Sequence, residues 1–231
     1  KSVSAGWKIS CGVDRGSIVR QSGTTYVFKT SSNKCSSRGT YSQRAELSGL
    51  YFSARNKVSY QFSSTVQIET KSREQFTIFQ VHDGRGSCAP PLKIHWTRHD
   101  TLVFYSAYSL DKGAHDCVEN ASLVKQRYTG PRLKRDGTAY ELKVMMDFDG
   151  IGGFHTTVFV NGRKSLSGTY TPPTDKRFFR SDRFWLKHGN YSKNTWPYTL
   201  TSTDIKVFRK MSPKSGSTNN AKFDAGQSVG R

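Results

Sequence analysis

Acid is scarce in this chain. Its 231 residues include 17 Asp and Glu against 36 Lys and Arg, which leaves a formal net charge of +19. Such a deficit implies a polyanionic partner or an anionic surface. The usual marks of a nucleic-acid binder are missing, however. No zinc-finger spacing, RNP-like string or helix-turn-helix pattern occurs, and the basic residues are scattered from Lys1 to Arg231. No C-x-x-C pair exists among the cysteines at 11, 35, 88 and 117, which argues against a zinc or thioredoxin-like site. No apolar run is long enough to span a bilayer, so no membrane role is expected. No stretch of a dozen residues keeps a 3.6 period, and no internal repeat is present. His, Asp and Glu do not cluster at metal-ligand spacing, and no metal or cofactor is expected. A carboxylate pair on one strand face, the requirement of a glycoside hydrolase, is also wanting.

What remains is strands and turns. Val58, Tyr60, Phe62, Ser64, Val66 and Ile68 alternate with polar residues over a long half-buried strand. Similar runs start at Phe76, Leu92, Leu102, Tyr140, Thr156, Phe184 and Asp204, and Asn161-Gly162 is the strongest short hairpin signal available. Aromatic residues make up 13% of the chain, a mix that suits strands. A chain this long buries roughly 70–75% of its unfolded surface and can build a full core. The expected fold is all-β: a β-jelly roll, or two-sheet antiparallel sandwich, with a concave groove. One domain is expected over residues 1–211, with 212–231 as a polar Gly/Ser/Asn-rich tail.

An even, widely spaced cysteine set favours two disulfides and an oxidising compartment. Of the three pairings, Cys11–Cys35 and Cys88–Cys117 are preferred because each closes a local loop. Asn120 and Asn190 match the glycosylation acceptor pattern, and Asn190 is expected to be bare. The chain reads as a mature secreted form, expected to be monomeric.

Three strings put polar groups where a plain sheet would accept anything soluble. They are Gln43-Arg44-Ala45-Glu46-Leu47, Gln80-Val81-His82 and Lys187-His188-Gly189-Asn190-Tyr191. Strand parity sets Gln80 and His82 on one side, about 7 Å apart, together with Phe76 and Ile78. It groups Trp185, Lys187, Gly189 and Tyr191 on one face, and Arg44 with Glu46 on another. Each signal alone is ordinary: an Arg beside a Glu is usually a surface pair worth little. Only their combination on consistent faces is informative.

That combination resembles the alginate lyases of polysaccharide lyase family 7 and the related glucuronan lyases. The alginate lyases carry Arg-x-Glu-Leu-Arg, Gln-Ile/Val-His and Tyr-Phe-Lys-x-Gly-x-Tyr-x-Gln strings in this order. Here Ser48 stands in place of the second Arg, and Lys193 in place of the final Gln. The resemblance implies a β-jelly roll and a secreted enzyme that cuts an acidic uronate polymer by β-elimination. It implies catalytic roles for Tyr191, His82, Gln80 and Arg44, and substrate binding by Lys187, Glu46 and Lys193, while Lys93 and Arg73, from the remaining basic residues, are expected to bind substrate in flanking subsites. Arg44 and Gln80 would neutralise the sugar carboxylate, and Tyr191 and His82 would transfer protons. Lys187 and Arg44 are expected to favour the phenolate of Tyr191. By the same resemblance, Val81 votes for a mannuronate-like substrate. His95, Arg98 and Lys143 are further candidates for flanking subsites, whereas Trp185 and Trp196 read as core aromatics more than as sugar platforms. The competing readings are a jelly-roll lectin, a glycosaminoglycan lyase and, behind these, a basic nucleic-acid binder.

Overall fold

The computed structural model describes residues 1–10, 16–31, 43–86, 88–110 and 116–210. The preferred Cys11–Cys35 pair and the tail from 212 to 231 lie outside the described residues. The short strands β1 (Ser2–Val3) and β2 (Lys8–Ile9) are followed by β3 (Ile18–Ser22) and β4 (Thr25–Lys29). Then come β5 (Gln43–Ser53), β6 (Lys57–Glu69), β7 (Phe76–His82), β8 (Leu92–Trp96) and β9 (Leu102–Tyr105). Two small strands, β10 (Ala107–Ser109) and β11 (Cys117–Glu119), precede one helical turn, α1 (Ala121–Val124). The chain continues through β12 (Tyr140–Asp149), β13 (Phe154–Val160), β14 (Arg163–Tyr170), β15 (Arg183–Ser192) and β16 (Thr199–Lys210).

These strands form two large antiparallel sheets, the two-layer jelly-roll sandwich expected. The larger runs β14-β13-β12-β6-β16-β4-β3, with β1 added against β16, and the smaller runs β2-β5-β15-β7-β8-β9. Strands β10 and β11 pair separately. Alternation explains the larger sheet. Along β6, Val58, Tyr60, Phe62, Ser64, Val66 and Ile68 are buried, and the residues between them are not. The turn between β13 and β14 is Asn161-Gly162, both at positive φ (50° and 75°), as a tight two-residue hairpin requires.

Aromatic side chains from both inner faces interdigitate to form the core. Phe62 of β6 meets Phe79 of β7 at 4.9 Å between ring centroids, and Phe148 of β12 meets Phe52 of β5 at 4.7 Å. Phe148 also packs on Phe184 of β15 at 5.1 Å. His188 lies in this core, where it contacts the Ile78 carbonyl and the Ser202 hydroxyl. Burial lowers its pKa to about 4, so it is neutral there. Among the described residues, no helix is long and apolar enough to cross a membrane.

The smaller sheet departs from simple alternation. Its central strands β5, β15 and β7 are buried on both faces along most of their length. A sheet buried only on its core side would leave the other face wet. Here the outer face is crowded with polar side chains that shield one another.

Candidate active site

The three strings lie side by side, because β15 pairs with β5 on one edge and with β7 on the other. Arg44 stands opposite Tyr191, and Trp185 opposite His82. One transverse row runs Ser48, Lys187, Gln80, Lys93 and Tyr105 across β5, β15, β7, β8 and β9. The row beside Tyr191 continues through Thr77 to His95.

The register shifts at three places in this sheet, one of them between Phe184 and Leu186 beside Trp185, and the other two shape the face around Tyr191. The register between β7 and β8 shifts between Thr77 and Phe79. That shift inverts the first part of β7, since one extra residue sends the following side chains to the other face. Phe76 and Ile78 therefore belong to the core rather than to the face of Gln80 and His82. Phe76 stacks on Trp96 and packs at a tilt against Trp196, and Ile78 lies among Val66, Trp96 and Leu133. Thr77 takes the outer side, where its hydroxyl meets His95 Nδ1 at 2.9 Å. The second irregularity falls between His188 and Tyr191 of β15. Gly189 sits there at φ +141°, and a Cβ would collide with the Ala45 carbonyl oxygen and the Glu46 Cα. Only glycine fits where β15 crosses β5 so closely.

Charge is concentrated around Glu46, which is fully buried. Gln80 Nε2 donates to Glu46 Oε1 at 2.5 Å, and Arg44 Nε lies 3.4 Å from Glu46 Oε2. The Arg44 guanidinium also covers the Tyr191 ring at 4.1 Å from its centroid, and Lys93 Nζ lies 5.2 Å from the same centroid. Burial pushes Lys93 down to about 8, against the pull of Glu46 and with the help of Arg44 and Lys187. Burial likewise lowers Lys187. His95 falls to about 3 through burial and the nearby Lys93. Three cations thus gather about one carboxylate, in a place where charge is expensive to hold.

His82 has its own mount. Its ring stacks on Trp185 at 4.8 Å, and Tyr51 stacks on Trp185 at 5.4 Å. His82 and Tyr51 come from the strands on either side of β15, so the indole is sandwiched between them. Its Nδ1 accepts the Gly84 N–H at 2.9 Å. Burial, then Lys187, Arg85, Arg44 and Lys93, hold the imidazole well below its ordinary pKa, so it is neutral. The turn that follows is anchored by Asp83 and Arg85, a fully buried ion pair at 2.9 Å. Arg85 also donates to the Tyr170 hydroxyl at 2.8 Å, and Ser181 donates to Asp83 at 2.5 Å. Burial works against the Arg85 charge, but Asp83 outweighs it and keeps the guanidinium fully protonated. A disulfide between Cys88 and Cys117, with Cα atoms 5.6 Å apart, ties the same segment to β11.

Solved structures show the same architecture. An alginate lyase of polysaccharide lyase family 7 superposes with a TM-score of 0.55 at 14% identity, over 89% of this chain and 94% of the other. The exolytic family 7 alginate lyase from Zobellia galactanivorans gives 0.53 at 15% identity, over 90% and 96%. The alginate lyase from Pseudomonas aeruginosa gives 0.52 at 14% identity, over 84% and 86%. The chain shares the fold of the family 7 alginate lyases. No family model matches the sequence, and no curated protein does.

On this jelly-roll fold the remaining expected residues fall in different places. Lys193 follows the end of β15 and is exposed. Arg73 is exposed and pairs with Asp100 at 2.5 Å, a carboxylate it shares with Arg135. Arg98 is exposed in the turn between β8 and β9. Lys143 sits on β12 of the other sheet, paired with Glu141 at 3.3 Å, and cannot line a subsite on this face. Trp185 is no core aromatic but a wall of the His82 mount, whereas Trp196 does pack in the core. Both sequon asparagines are buried: Asn120 donates to Ser106, and Asn190 lies inside β15. Sequence reasoning passed over Tyr51, Gly84 and the Asp83–Arg85 pair. The Asp83-Gly84-Arg85 string is a readable turn signal directly after His82 and could have drawn attention to its anchoring.

Proposed function

We propose that the protein is a secreted polysaccharide lyase that cleaves an acidic uronate polymer by β-elimination. The observation that supports the reading is that Arg44, Gln80, His82 and Tyr191 come from three adjacent strands, with Gln80 and Arg44 against the buried Glu46 and Arg44 over the Tyr191 ring. The scattered surface charge, +19 overall, suits a polyanionic substrate.

In this reading a sugar carboxylate enters among Arg44, Gln80 and His82. Glu46 takes one N–H of Gln80 and leaves the other to donate. Arg44 supplies charge, and His82 supplies a neutral donor. These groups are fixed before substrate arrives, which is the condition for stabilising the charge that builds on the carboxylate as C5 loses its proton. Tyr191 removes that proton. The C5–H electrons form the C4–C5 double bond, the C4–O4 bond breaks, and O4 leaves with a returned proton. Arg44 and Lys93 lie over the phenol ring, and nearby positive charge favours the phenolate over the phenol.

The test is incubation with polymannuronate, polyguluronate, glucuronan, hyaluronan and heparin while following the ultraviolet absorbance of the unsaturated product. Product from a uronate polymer is expected. Tight binding of one polymer with no product from any would assign the site to a lectin instead.

A further inference from the structure

We propose that the protein carries a second, non-catalytic contact for the same acidic polymer: a basic strap along the outer flank of β9, which holds the chain where it overhangs the reacting face. The identity of the polymer rests on the lyase reading.

The sequence marks the strap. Residues 120–135 hold five Lys and Arg and no Asp or Glu. So dense a run of one sign suits a polyanion. The structure fixes where the run lies. Asn120 binds Ser106, just after β9, through its backbone N–H at 3.0 Å and its side chain at 3.2 Å. The Leu133 N–H donates to the Asp100 carbonyl, just before β9, at 2.8 Å. The segment therefore passes alongside β9 in the opposite direction. Midway, Thr129 donates to the carbonyls of Ser165 and Lys164 on β14. Since β9 and β14 are the edges of their sheets, the strap closes one side of the sandwich.

Side chains divide along it. Leu123 and Leu133 are buried, and Tyr128 packs half-buried against the same core. Arg135 is buried as well, on Asp100 and the carbonyls of Glu74 and Thr97. The other four cations, Lys125, Arg127, Arg132 and Lys134, are exposed. Arg163 and Lys164, at the start of β14, extend the exposed set to six. None of the six stands in an ion pair among the described residues. Asp136, just beyond the strap, feels Lys134 but gives its hydrogen bonds to Thr138. Exposed cations elsewhere sit beside acids, as Arg177 does 2.7 Å from Asp175. Six unpaired like charges on one flank repel one another, and a bound polyanion relieves that repulsion.

Position selects the occupant. The row from Ser48 through Lys187, Gln80 and Lys93 to Tyr105 crosses five strands. At the usual strand spacing it is about 19 Å across. A pyranose is about as long as one strand gap, so about four sugars fill the row. It ends at the exposed Tyr105, one residue from Ser106, where the strap is pinned. A longer chain overhangs this edge and meets the strap. The second contact is then intramolecular and adds avidity without touching the reacting sugar. Nucleic acid fits less well, because the strap offers no open ring for bases to stack on: Tyr128 faces the core and gives its hydroxyl to the Pro131 carbonyl at 2.6 Å.

The test is equilibrium binding of long polymannuronate and of a mannuronate tetramer to Tyr191→Phe protein, so that cleavage does not intrude. Lys125→Gln, Arg127→Gln, Lys134→Gln and Lys164→Gln are combined; none of these side chains makes a hydrogen bond among the described residues, and an unchanged unfolding midpoint checks the fold. The combination is expected to weaken the long polymer ~10-fold or more, with a shallower salt dependence, and to leave the tetramer within about twofold. Unchanged affinity for the long polymer overturns the inference. So does an equal loss in Lys29→Gln, Lys143→Gln, Lys206→Gln and Lys210→Gln combined, which removes as much charge from the larger sheet and would reduce the effect to net charge. Duplex DNA held more tightly than the polymer, through the strap, overturns the choice of occupant. The lyase reading fails separately, by the absence of product from any polymer with the unsubstituted protein; a strap-dependent loss of polymer binding would still support the second contact.

Discussion

The outer faces of the two sheets handle charge in opposite ways. On the larger sheet, cations come with neighbouring acids and reach solvent: Lys143 lies 3.3 Å from Glu141, and Lys206 lies 2.7 Å from Asp204. On the smaller sheet, Arg44, Lys93 and Lys187 crowd around Glu46 where little water reaches. Exposed pairs of the first kind cost and contribute little. A buried excess of one sign works against folding and persists only where something else requires it. The same residue types on one scaffold thus separate into solvated pairs and a buried cluster, which the lyase reading takes as its site, and burial tells them apart where sequence does not.

The sharpest way to break this contrast is at the reacting atom. Tyr191→Phe is expected to lower turnover by ~10³-fold or more while binding of the polymer is kept, as measured by kcat and by equilibrium binding. Retained turnover would show that the crowded face is not catalytic through Tyr191. Next in size is the anion beneath. Glu46→Gln leaves three buried cations without their carboxylate and is expected to cost ~3–5 kcal/mol in denaturant unfolding. Glu141→Gln, its counterpart on the other sheet, should stay within about 0.5 kcal/mol. Equal losses would erase the distinction.

A smaller effect lies in the pH profile. Lys93, lowered to about 8, loses its proton as pH rises through that value, so the free site sheds a positive charge. kcat/KM on a polyanion is expected to fall there, since this parameter reports the free enzyme. Lys93→Arg keeps the charge and should move the alkaline limb upward. An unmoved limb would assign it to another group. The smallest effect is the control: Lys143→Ala and Lys206→Ala should leave kcat/KM within about twofold, because neither lies on the reacting face.

Much of the arrangement was legible because its signals are local. Asn161-Gly162 marks a hairpin by its own backbone needs, and the alternation from Val58 to Ile68 names a buried face without reference to any partner. Parity correctly put Gln80 with His82, and Lys187 with Tyr191. It failed at Phe76 and Ile78 because a bulge adds one residue, and nothing in Phe76-Thr77-Ile78-Phe79 announces it. Lys143 was misplaced for a different reason: a strand's own residues do not say which sheet it joins. The Glu46–Gln80 contact joins residues on strands that are not neighbours, reached across β15, and no pairwise pattern encodes it.

Burial of the cation cluster has a consequence for brine. Dissolved ions damp attraction between exposed charges over about 10 Å at moderate ionic strength but reach enclosed charges poorly. In the lyase reading, added salt should therefore slow the polymer's approach to the basic exterior far more than it loosens the hold on the single sugar being cut. On that reading, a molecule so built keeps its local grip in seawater as in fresh.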